Sequence, residues 1–199
     1  MSAAIKLVVG LGNPGAQYAE TRHNAGFWFV ERYAQTNGVA LRTERGFHGI
    51  VGKDGPRFLL MPDTFMNRSG LAVGALARFY KILPDEILVA HDELDLDPGV
   101  VKLKLGGGHA GHNGLRDIAA VLTTPHFWRL RIGIGHPRTL QLQQPVVDFV
   151  LHPPRKLDQT AIDDAIERGL DVMPRMFAGD PEAAMMTLHT GPGSSSRTA

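Results

Sequence analysis

The stretch IKLVVGLGNPGAQYAETRHNAG, residues 5–26, joins a short apolar strand to a glycine-rich loop and then to a polar segment before a helix. The apolar run 5–9, interrupted only by Lys6, is typical of a buried strand. The glycines of GLGNPG at 10–15 allow a sharp turn and a close backbone approach. His23 and Asn24 then precede an amphipathic run. This order predicts an α/β protein with a site at the carboxyl end of its first strand.

Strand and helix patterns alternate along the rest of the chain. Strands are predicted over 47–51, 57–61, 86–91, 100–105 and 128–134, with a possible edge strand over 146–150. The first predicted helix spans 25–37, is capped by Asn24 and ends at Gly38. A second helix follows a cap at Asn67 or Ser69, and a third spans 114–122. The last helical stretch spans 156–177 and should break at Pro174. We therefore predict a single three-layer α/β domain with a mixed sheet over residues 1–189, followed by a flexible tail over 190–199.

The composition excludes several classes of protein. The 199 residues carry a formal net charge of +1, so nucleic-acid binding would need a local basic patch. The absence of cysteine excludes disulfides, thiolate metal sites and a cysteine nucleophile. No segment resembles a secretory signal, and no apolar run approaches the roughly 18 residues of a membrane span. We expect a cytoplasmic protein without membrane contact.

His23 and Asp92 are the first candidate pair of catalytic side chains. His23 follows the glycine loop, and Asp92 follows the strand predicted over 86–91. Because the carboxyl ends of strands in a doubly wound sheet meet at one crevice, the two side chains should lie close together. A buried carboxylate beside an imidazole sets its tautomer and stabilises the imidazolium, as general-base chemistry requires. The alternative is that His23 is a structural hydrogen-bonding residue.

Asn13, Asn67 and Asn113 each stand where a loop leads into a predicted helix. Asparagine at such a position often caps the helix or closes a turn. If all three side chains point into one crevice, they instead offer neutral donors and acceptors for a peptide group or an ester carbonyl. The sequence leaves both interpretations open.

Other kinds of site have weaker support. The run GLGNPG matches a dinucleotide fingerprint, but the helix begins late and no acidic residue ends a second strand about 20 residues further on. His109 and His112 could join the run HDE at 91–93 in a metal site, yet both histidines lie in a glycine loop. A serine hydrolase would need a G-x-S-x-G motif, and only Ser69 is available in the presumed folded region.

Basic residues with strand periodicity form a possible contact surface for phosphates. Lys102 and Lys104 share one face of a strand, and Arg129 and Arg131 share a face of another. Such charges usually form a solvated face of the sheet. The alternative is a small patch that follows nucleic-acid phosphates beside the crevice.

With these residues placed, the chain resembles the bacterial peptidyl-tRNA hydrolases. The resemblance rests on GLGNPGAQYAETRHNAG (10–26), FMNRSG (65–70), AHDELDL (90–96), KLGGGHAGHNGLRD (104–117) and RLRIGIGHP (129–137), in matching order and spacing. It covers about residues 5–177, and no position within these stretches departs from the family pattern.

The resemblance implies an enzyme that cleaves the ester between a peptide and the 3′ end of tRNA without a metal or cofactor. It implies a monomer with a twisted mixed sheet flanked by helices, of the peptidyl-tRNA hydrolase-like or phosphorylase/hydrolase-like type. His23 matches the catalytic base and Asp92 its supporting carboxylate. Asn13 falls where the family distinguishes a blocked peptidyl amide from a free amino group.

The resemblance also implies contact residues. The substrate-contact positions fall on Tyr18, Phe65, Asn67 and Asn113, with His112 beside them at the rim of the crevice. Lys102, Lys104 and Arg131 match the basic side that meets tRNA phosphates. In the mechanism we expect, Asn113 positions the attacking water or the developing oxyanion, while Asn13 and Asn67 bind the peptide backbone.

Three other functions remain open from the residues themselves. The first is an esterase or amidase that acts on a small acylated molecule, which would not need the basic patch. The second is a non-catalytic RNA-binding module, which would not need His23. The third is a nucleotide-cofactor enzyme, which would bind a dinucleotide at the glycine loop.

Overall fold

The computed structural model describes residues 2–191, which form one seven-stranded sheet with helices on both faces. The strands are β1 (Leu7–Gly10), β2 (Leu41–Glu44), β3 (Gly49–Asp54), β4 (Arg57–Pro62), β5 (Ile87–Glu93), β6 (Val101–Leu105) and β7 (Trp128–Gly133). The helices are α1 (Ala25–Asn37), α2 (Ser69–Tyr80), α3 (Asn113–Leu122), α4 (Val146–Val150), α5 (Lys156–Asp171), α6 (Met173–Phe177) and α7 (Pro181–Thr190). Short 3-10 turns at Arg22–Asn24 and Met66–Arg68 lead into α1 and α2.

The sheet is mixed, in the order β2-β3-β4-β1-β5-β7-β6. Strands β4, β1, β5 and β7 pair in parallel, while β2 with β3, β3 with β4, and β6 with β7 pair antiparallel. Side chains alternate along β1, so Leu7 and Val9 join the apolar cluster beneath α2 and α3, and Val8 joins the cluster beneath α1 and α5. The predicted three-layer α/β fold with a mixed sheet is confirmed.

The parallel pairing of β1 with β5 brings both halves of the candidate site to one edge of the sheet. Gly10 stands opposite Ala90, so the loop after β1 emerges beside the end of β5. Strand β5 runs to Glu93, further than predicted, and Asp92 therefore lies on the strand itself. Gly26 approaches the backbone of Leu11 and Ala90 so closely that no Cβ would fit. This contact seats the start of α1 directly on the sheet.

Helix α1 occupies its predicted range, and Gly38 ends it in the left-handed conformation with φ of 64°. The break near Pro174 is also present, since α5 ends at Asp171 and α6 begins at Met173. Strand β2 and helix α7 were not predicted. The strand expected over 47–51 lies instead at Gly49–Asp54.

The edge strand expected over 146–150 is wrong, because these residues form helix α4. Its first turn is closed by the N–H of Phe149, which donates to the carbonyl of Pro145. Phe149 and Val150 are buried while Val147 is exposed, as a short helix on a surface requires. The edge of β6 that such a strand could join is covered by α7, where His189 Nε2 accepts the N–H of Leu103 at 3.0 Å.

The last helix continues one residue past residue 189, the expected end of the domain. Thr190, the first residue of the expected tail, is the last residue of α7. Residues 192–199 of that tail lie outside the described residues. Within residues 2–191, no helix combines the length and the apolar character that crossing a membrane needs.

Candidate active site

His23 and Asp92 lie in contact, as their positions after two neighbouring strands predict. His23 Nδ1 lies 2.8 Å from Asp92 Oδ2, and the side chain of Asp92 is only 2% exposed. Burial alone would lower the pKa of His23, but the Asp92 carboxylate outweighs it and raises that pKa above its ordinary value. Since a carboxylate can only accept, Nδ1 carries the proton and Nε2 keeps its lone pair. This is the tautomer that a general base requires.

His112 binds the other oxygen of the same carboxylate. Its Nε2 lies 2.8 Å from Asp92 Oδ1, and its Nδ1 accepts the N–H of Leu115 at 3.4 Å as the N-cap of α3. The proton of a neutral His112 is therefore on Nε2, and it is donated to Asp92. Burial alone would raise the pKa of Asp92, but His23 and His112 together lower it far below the usual range of a carboxyl. Asp92 is therefore ionised at neutral pH.

Asn24 holds Asn13 in place through two hydrogen bonds, a contact that the sequence interpretation missed. Asn24 stands at the N-cap position of α1 as expected, but its side chain makes no capping bond. Its Oδ1 instead accepts the N–H of Asn13 at 2.8 Å, and its Nδ2 donates to the carbonyl of Asn13 at 3.0 Å. The only sequence signal was its place directly after His23.

Asn13 is fixed at its side chain as well. Its Oδ1 accepts the backbone N–H of Met66 at 2.8 Å, so the loop after β1 is joined to the turn that carries Asn67. This bond uses the carbonyl end of the Asn13 amide and leaves its NH₂ group as the free donor. The expected caps at Asn67 or Ser69 are absent, because α2 begins without a side-chain cap and Ser69 Oγ donates to the carbonyl of Met66.

These side chains surround a cavity of about 580 Å³ at the carboxyl edge of the sheet. Most of the predicted catalytic and substrate-contact residues line it, namely Asn13, His23, Phe65, Asn67, Asp92, His112 and Asn113. Tyr18 does not line this cavity, but its ring meets the exposed ring of Phe65 edge-on, with 6.5 Å between the centroids. Val146 and Val147 of α4 contribute an apolar wall. The cavity thus combines a polar floor with apolar sides.

The predicted basic residues lie on β6 and β7, beside this cavity. Lys102 is directly opposite Arg131 in the antiparallel pair, and Lys104 is opposite Arg129, so all share one face of the sheet. Arg131 Nε donates to Glu93 Oε1 at 2.7 Å, whereas Lys104 is exposed. The residues Lys102, Lys104 and Arg131 are therefore brought together.

Arg129 differs from these basic residues, because it is buried at 4% exposure. Its guanidinium donates to the carbonyls of Gly106 and Gly108, the latter at 2.7 Å. Arg129 thus fixes the start of the glycine loop that leads to His112 and Asn113. It is a loop-holding residue and presents little charge to solvent.

His91 is buried next to Asp92 and is among the residues that line the cavity. Its Nδ1 donates to the backbone carbonyl of Asp92 at 2.8 Å. Burial, with a smaller contribution from His112, lowers the pKa of His91 to about 3. His91 is therefore neutral throughout the physiological range.

A metal ion has one geometrically possible position within the described residues 2–191. Ligand atoms of His23, Asp92 and His112 lie within 4.8 Å of one another. This set differs from the one considered from the sequence, since His91, Glu93 and His109 are not in it. Direct N–H···O bonds already account for the closeness of the three groups, because each imidazole donates to its own carboxylate oxygen.

The remaining sequence alternatives lose support from local packing. A Cβ at Gly10 would collide with Val30, and one at Gly12 with the Phe27 ring, so these glycines allow α1 to approach. That close packing explains their presence without a bound pyrophosphate. Ser69 is fully buried and its hydroxyl is engaged, which argues against a nucleophilic serine.

A buried imidazole–carboxylate pair, surrounded by side-chain amides at the carboxyl edge of a mixed sheet, fits a hydrolase built on a three-layer α/β fold. Residues 7–196 match the family model described as peptidyl-tRNA hydrolase. The chain is 61% identical over 195 residues to a peptidyl-tRNA hydrolase of Cupriavidus pinatubonensis, covering 94% of this chain and 98% of the relative. The chain belongs to the peptidyl-tRNA hydrolase family.

Further comparisons agree with this assignment. A peptidyl-tRNA hydrolase of Bordetella petrii is 60% identical over 197 residues, covering 97% of this chain and 94% of the relative. The crystal structure of peptidyl-tRNA hydrolase from Acinetobacter baumannii superimposes with a TM-score of 0.91 at 46% identity, covering 97% and 98% of the two chains. Both sequence and fold therefore match over nearly the whole length.

Proposed function

We propose that this chain hydrolyses the ester between a peptide and the 3′ end of tRNA, and so releases free peptide and reusable tRNA. Family membership supports the reaction. The observation that carries the chemistry is the 2.8 Å contact between His23 Nδ1 and Asp92, which leaves Nε2 as a base beside a cavity lined by asparagine amides. An ester carbonyl and a peptide group are the neutral polar groups that such amides bind.

The reaction begins with general-base catalysis by His23. Nε2 takes a proton from water while the water oxygen attacks the ester carbonyl carbon, and a tetrahedral oxyanion forms. Asp92 stabilises the imidazolium and holds its orientation. As the oxyanion collapses, the bond to the ribose 3′ oxygen breaks, and that oxygen takes the proton back from His23. General-base help of this kind contributes roughly 10²–10⁴ in rate.

The asparagines divide the remaining work. Asn113 positions the attacking water or donates to the developing oxyanion, where a fixed donor lowers the barrier. Asn13 and Asn67 bind the peptide backbone, and the free NH₂ of Asn13 supports this, since it can donate to a peptidyl carbonyl. Phe65, with Tyr18 behind it, offers an exposed aromatic surface for the substrate.

His112 supports Asp92 in this scheme. The resemblance placed it among substrate contacts at the rim, and it does line the cavity. Its bond to Asp92 Oδ1 adds a second task, because it occupies the carboxylate oxygen that His23 does not use. Because both of its oxygens accept a hydrogen bond, the Asp92 carboxylate keeps one orientation, in which it accepts the N–H of His23.

The tRNA approaches over the basic side formed by Lys102, Lys104 and Arg131. Their shared sheet face beside the cavity supports this direction of approach. Phosphate contacts position a nucleic acid without reading its sequence, which suits an enzyme that acts on many tRNAs. The enzyme works as a monomer, as the family resemblance implies. It acts in the cytoplasm, where peptidyl-tRNA arises, and needs no cofactor.

The direct test is release of labelled peptide from an N-blocked aminoacyl-tRNA, with EDTA present, by wild type, His23→Ala and His126→Ala. His126 is an exposed histidine that does not line the cavity and serves as the matched control. We expect cleavage by wild type and His126→Ala, and a loss of at least about 10²-fold in His23→Ala. Near-full activity of folded His23→Ala would refute the catalytic assignment, and sensitivity to EDTA would refute the metal-free mechanism.

The same assay separates the competing functions. A small-molecule esterase would cleave small esters as well as the tRNA ester, and added salt would hardly weaken it. A peptidyl-tRNA hydrolase should show a KM for the tRNA ester that rises steeply with salt. A non-catalytic RNA-binding module would bind tRNA without releasing peptide.

A further inference from the structure

Asp117 lies on α3 outside the set of groups assigned to the reaction, yet it contacts the start of α2. Its Oδ2 accepts the backbone N–H of Gly70 at 2.7 Å, although the two residues are 47 positions apart in the chain. Helix α2 has no side-chain cap of its own, so this carboxylate satisfies one of its free N-terminal donors. A negative charge at a helix N-terminus is also favoured by the helix dipole.

This bond joins the two segments that carry Asn67 and Asn113. Gly70 lies two residues after the turn Met66–Arg68, which contains Asn67. Asp117 stands four residues after Asn113 on α3, so the two side chains share one face of that helix. The Asp117–Gly70 bond therefore ties the segment that carries Asn67 to the helix that carries Asn113.

The two segments are pressed together at two further points. A Cβ at Gly70 would lie 2.6 Å from the carbonyl oxygen of Asp117, and one at Gly114 would lie 2.6 Å from Met66 Sδ. Real Cβ atoms do not approach other atoms so closely, so Gly70, which faces a backbone carbonyl, requires glycine, while Gly114 packs tightly against the side chain of Met66. The carboxylate of Asp117 thus adds a hydrogen bond to a contact between α2 and α3 that is already tightly packed.

With this bond, the hydrogen bonds around the cavity form a closed ring. His23 bonds Asp92, Asp92 bonds His112 at the start of α3, and Asp117 of the same helix bonds Gly70. The turn before Gly70 bonds Asn13 through Met66, and Asn13 bonds Asn24, the neighbour of His23 in the chain. Each of the other hydrogen bonds in this ring involves a residue that the proposed mechanism uses, or the residue next to it in the chain.

We propose that Asp117 is a positioning residue, which closes this ring and holds the peptide-binding asparagines in register with His23 and Asn113. The inference rests on the proposed function. Without the Asp117–Gly70 bond, each segment is still tied to its own neighbour, Met66 to Asn13 and His112 to Asp92. Binding groups therefore remain present, but the ester carbonyl is held at the wrong distance from the attacking water.

The test compares Asp117→Ala, Asp117→Asn and Asp117→Glu with wild type, using kcat and KM for an N-blocked aminoacyl-tRNA. A misplacement of about 1 Å can reduce turnover about 10²-fold. We expect kcat to fall at least about tenfold in Asp117→Ala with KM little changed, and to fall also in Asp117→Glu, whose extra methylene pushes α2 away. Asp117→Asn keeps an acceptor oxygen of the same reach, and its kcat should recover most of the wild-type value.

Asp180→Ala is the matched control, because Asp180 caps α7 by accepting the N–H of Ala183 at 3.2 Å, remote from the cavity. It should lower the melting temperature without changing kcat. If folded Asp117→Ala keeps wild-type kcat, or if Asp117→Ala fails to fold and Asp117→Glu keeps it, the positioning role is refuted. The proposed function stands or fails separately, on the loss of activity in His23→Ala.

Discussion

Replacement of Asp92 by asparagine tests the centre of the proposed mechanism, because an amide cannot reproduce the two bonds of the carboxylate. Asp92 accepts one N–H from His23 and one from His112, each at 2.8 Å. Asparagine has a single acceptor oxygen, and its NH₂ group must face one of the two imidazoles. That imidazole must then present a lone pair to the amide and move its proton to its other nitrogen.

The orientation of the amide follows from the second bond of His112. If NH₂ faced His112, that ring would move its proton to Nδ1 and lose the N-cap bond to Leu115. A lost cap costs about 1 kcal/mol, a factor of roughly five in population. The amide therefore turns its NH₂ toward His23, which then carries its proton on Nε2 and cannot act as a base.

The expected result combines this inactive tautomer with a lost charge. The imidazolium formed during the reaction no longer lies beside a carboxylate, so most of the general-base contribution of about 10²–10⁴ disappears from kcat. The pH profile should move as well. Wild-type kcat/KM should rise with pH through the raised pKa of His23, because only neutral His23 is a base. Without Asp92, burial alone acts, so the pKa of His23 falls and the acid limb shifts to lower pH.

The assay is release of labelled peptide from an N-blocked aminoacyl-tRNA over roughly pH 5–8, the range in which histidine titrates. Asp97→Asn is the control, since it removes the same charge from an exposed position on the loop after β5. The reasoning is refuted if Asp92→Asn keeps its turnover, or if its acid limb stays at the wild-type pH.

Three further predictions address other contacts. Asn24→Ala should lower kcat/KM about tenfold, because the Asn13 loop is no longer held, and thermal unfolding should show a loss of about 1–3 kcal/mol; unchanged kinetics would refute its role. Lys104→Ala should raise KM and reduce the salt slope of log KM by about one unit, while Lys53→Ala on β3, at the far side of the sheet from β6, should change neither. Because the pKa of His91 is lowered to about 3 in the folded state, stability should fall as pH drops below the ordinary histidine value, by up to about 1.4 kcal/mol per pH unit. Denaturant unfolding at several pH values should show that His91→Gln loses this slope.

Much of the candidate site could be predicted because it depends on local patterns and on one topological rule. The apolar run before Gly10 and the run before Asp92 indicate strands, and parallel strands place their carboxyl ends together. His23 and Asp92 were therefore placed correctly without a structure. The short run at 146–150 was not, because five apolar residues fit a strand and a helical turn equally well. Its helical state shows only in the folded structure, where Phe149 and Val150 are buried and Val147 is exposed.

The sequence by itself determined the layers of this protein, the order of its strands and helices for the most part, and the edge of the sheet at which the polar residues collect. These features follow from apolar periodicity and glycine positions, which act over a few residues. Only the tertiary structure decided which partner each polar group takes: Asn24 holds Asn13 and does not cap its helix, Arg129 holds a loop, and Asp117 caps a helix 47 positions away. The physical reason is that a hydrogen bond needs its atoms within about 3 Å, and the packing of whole elements sets that distance.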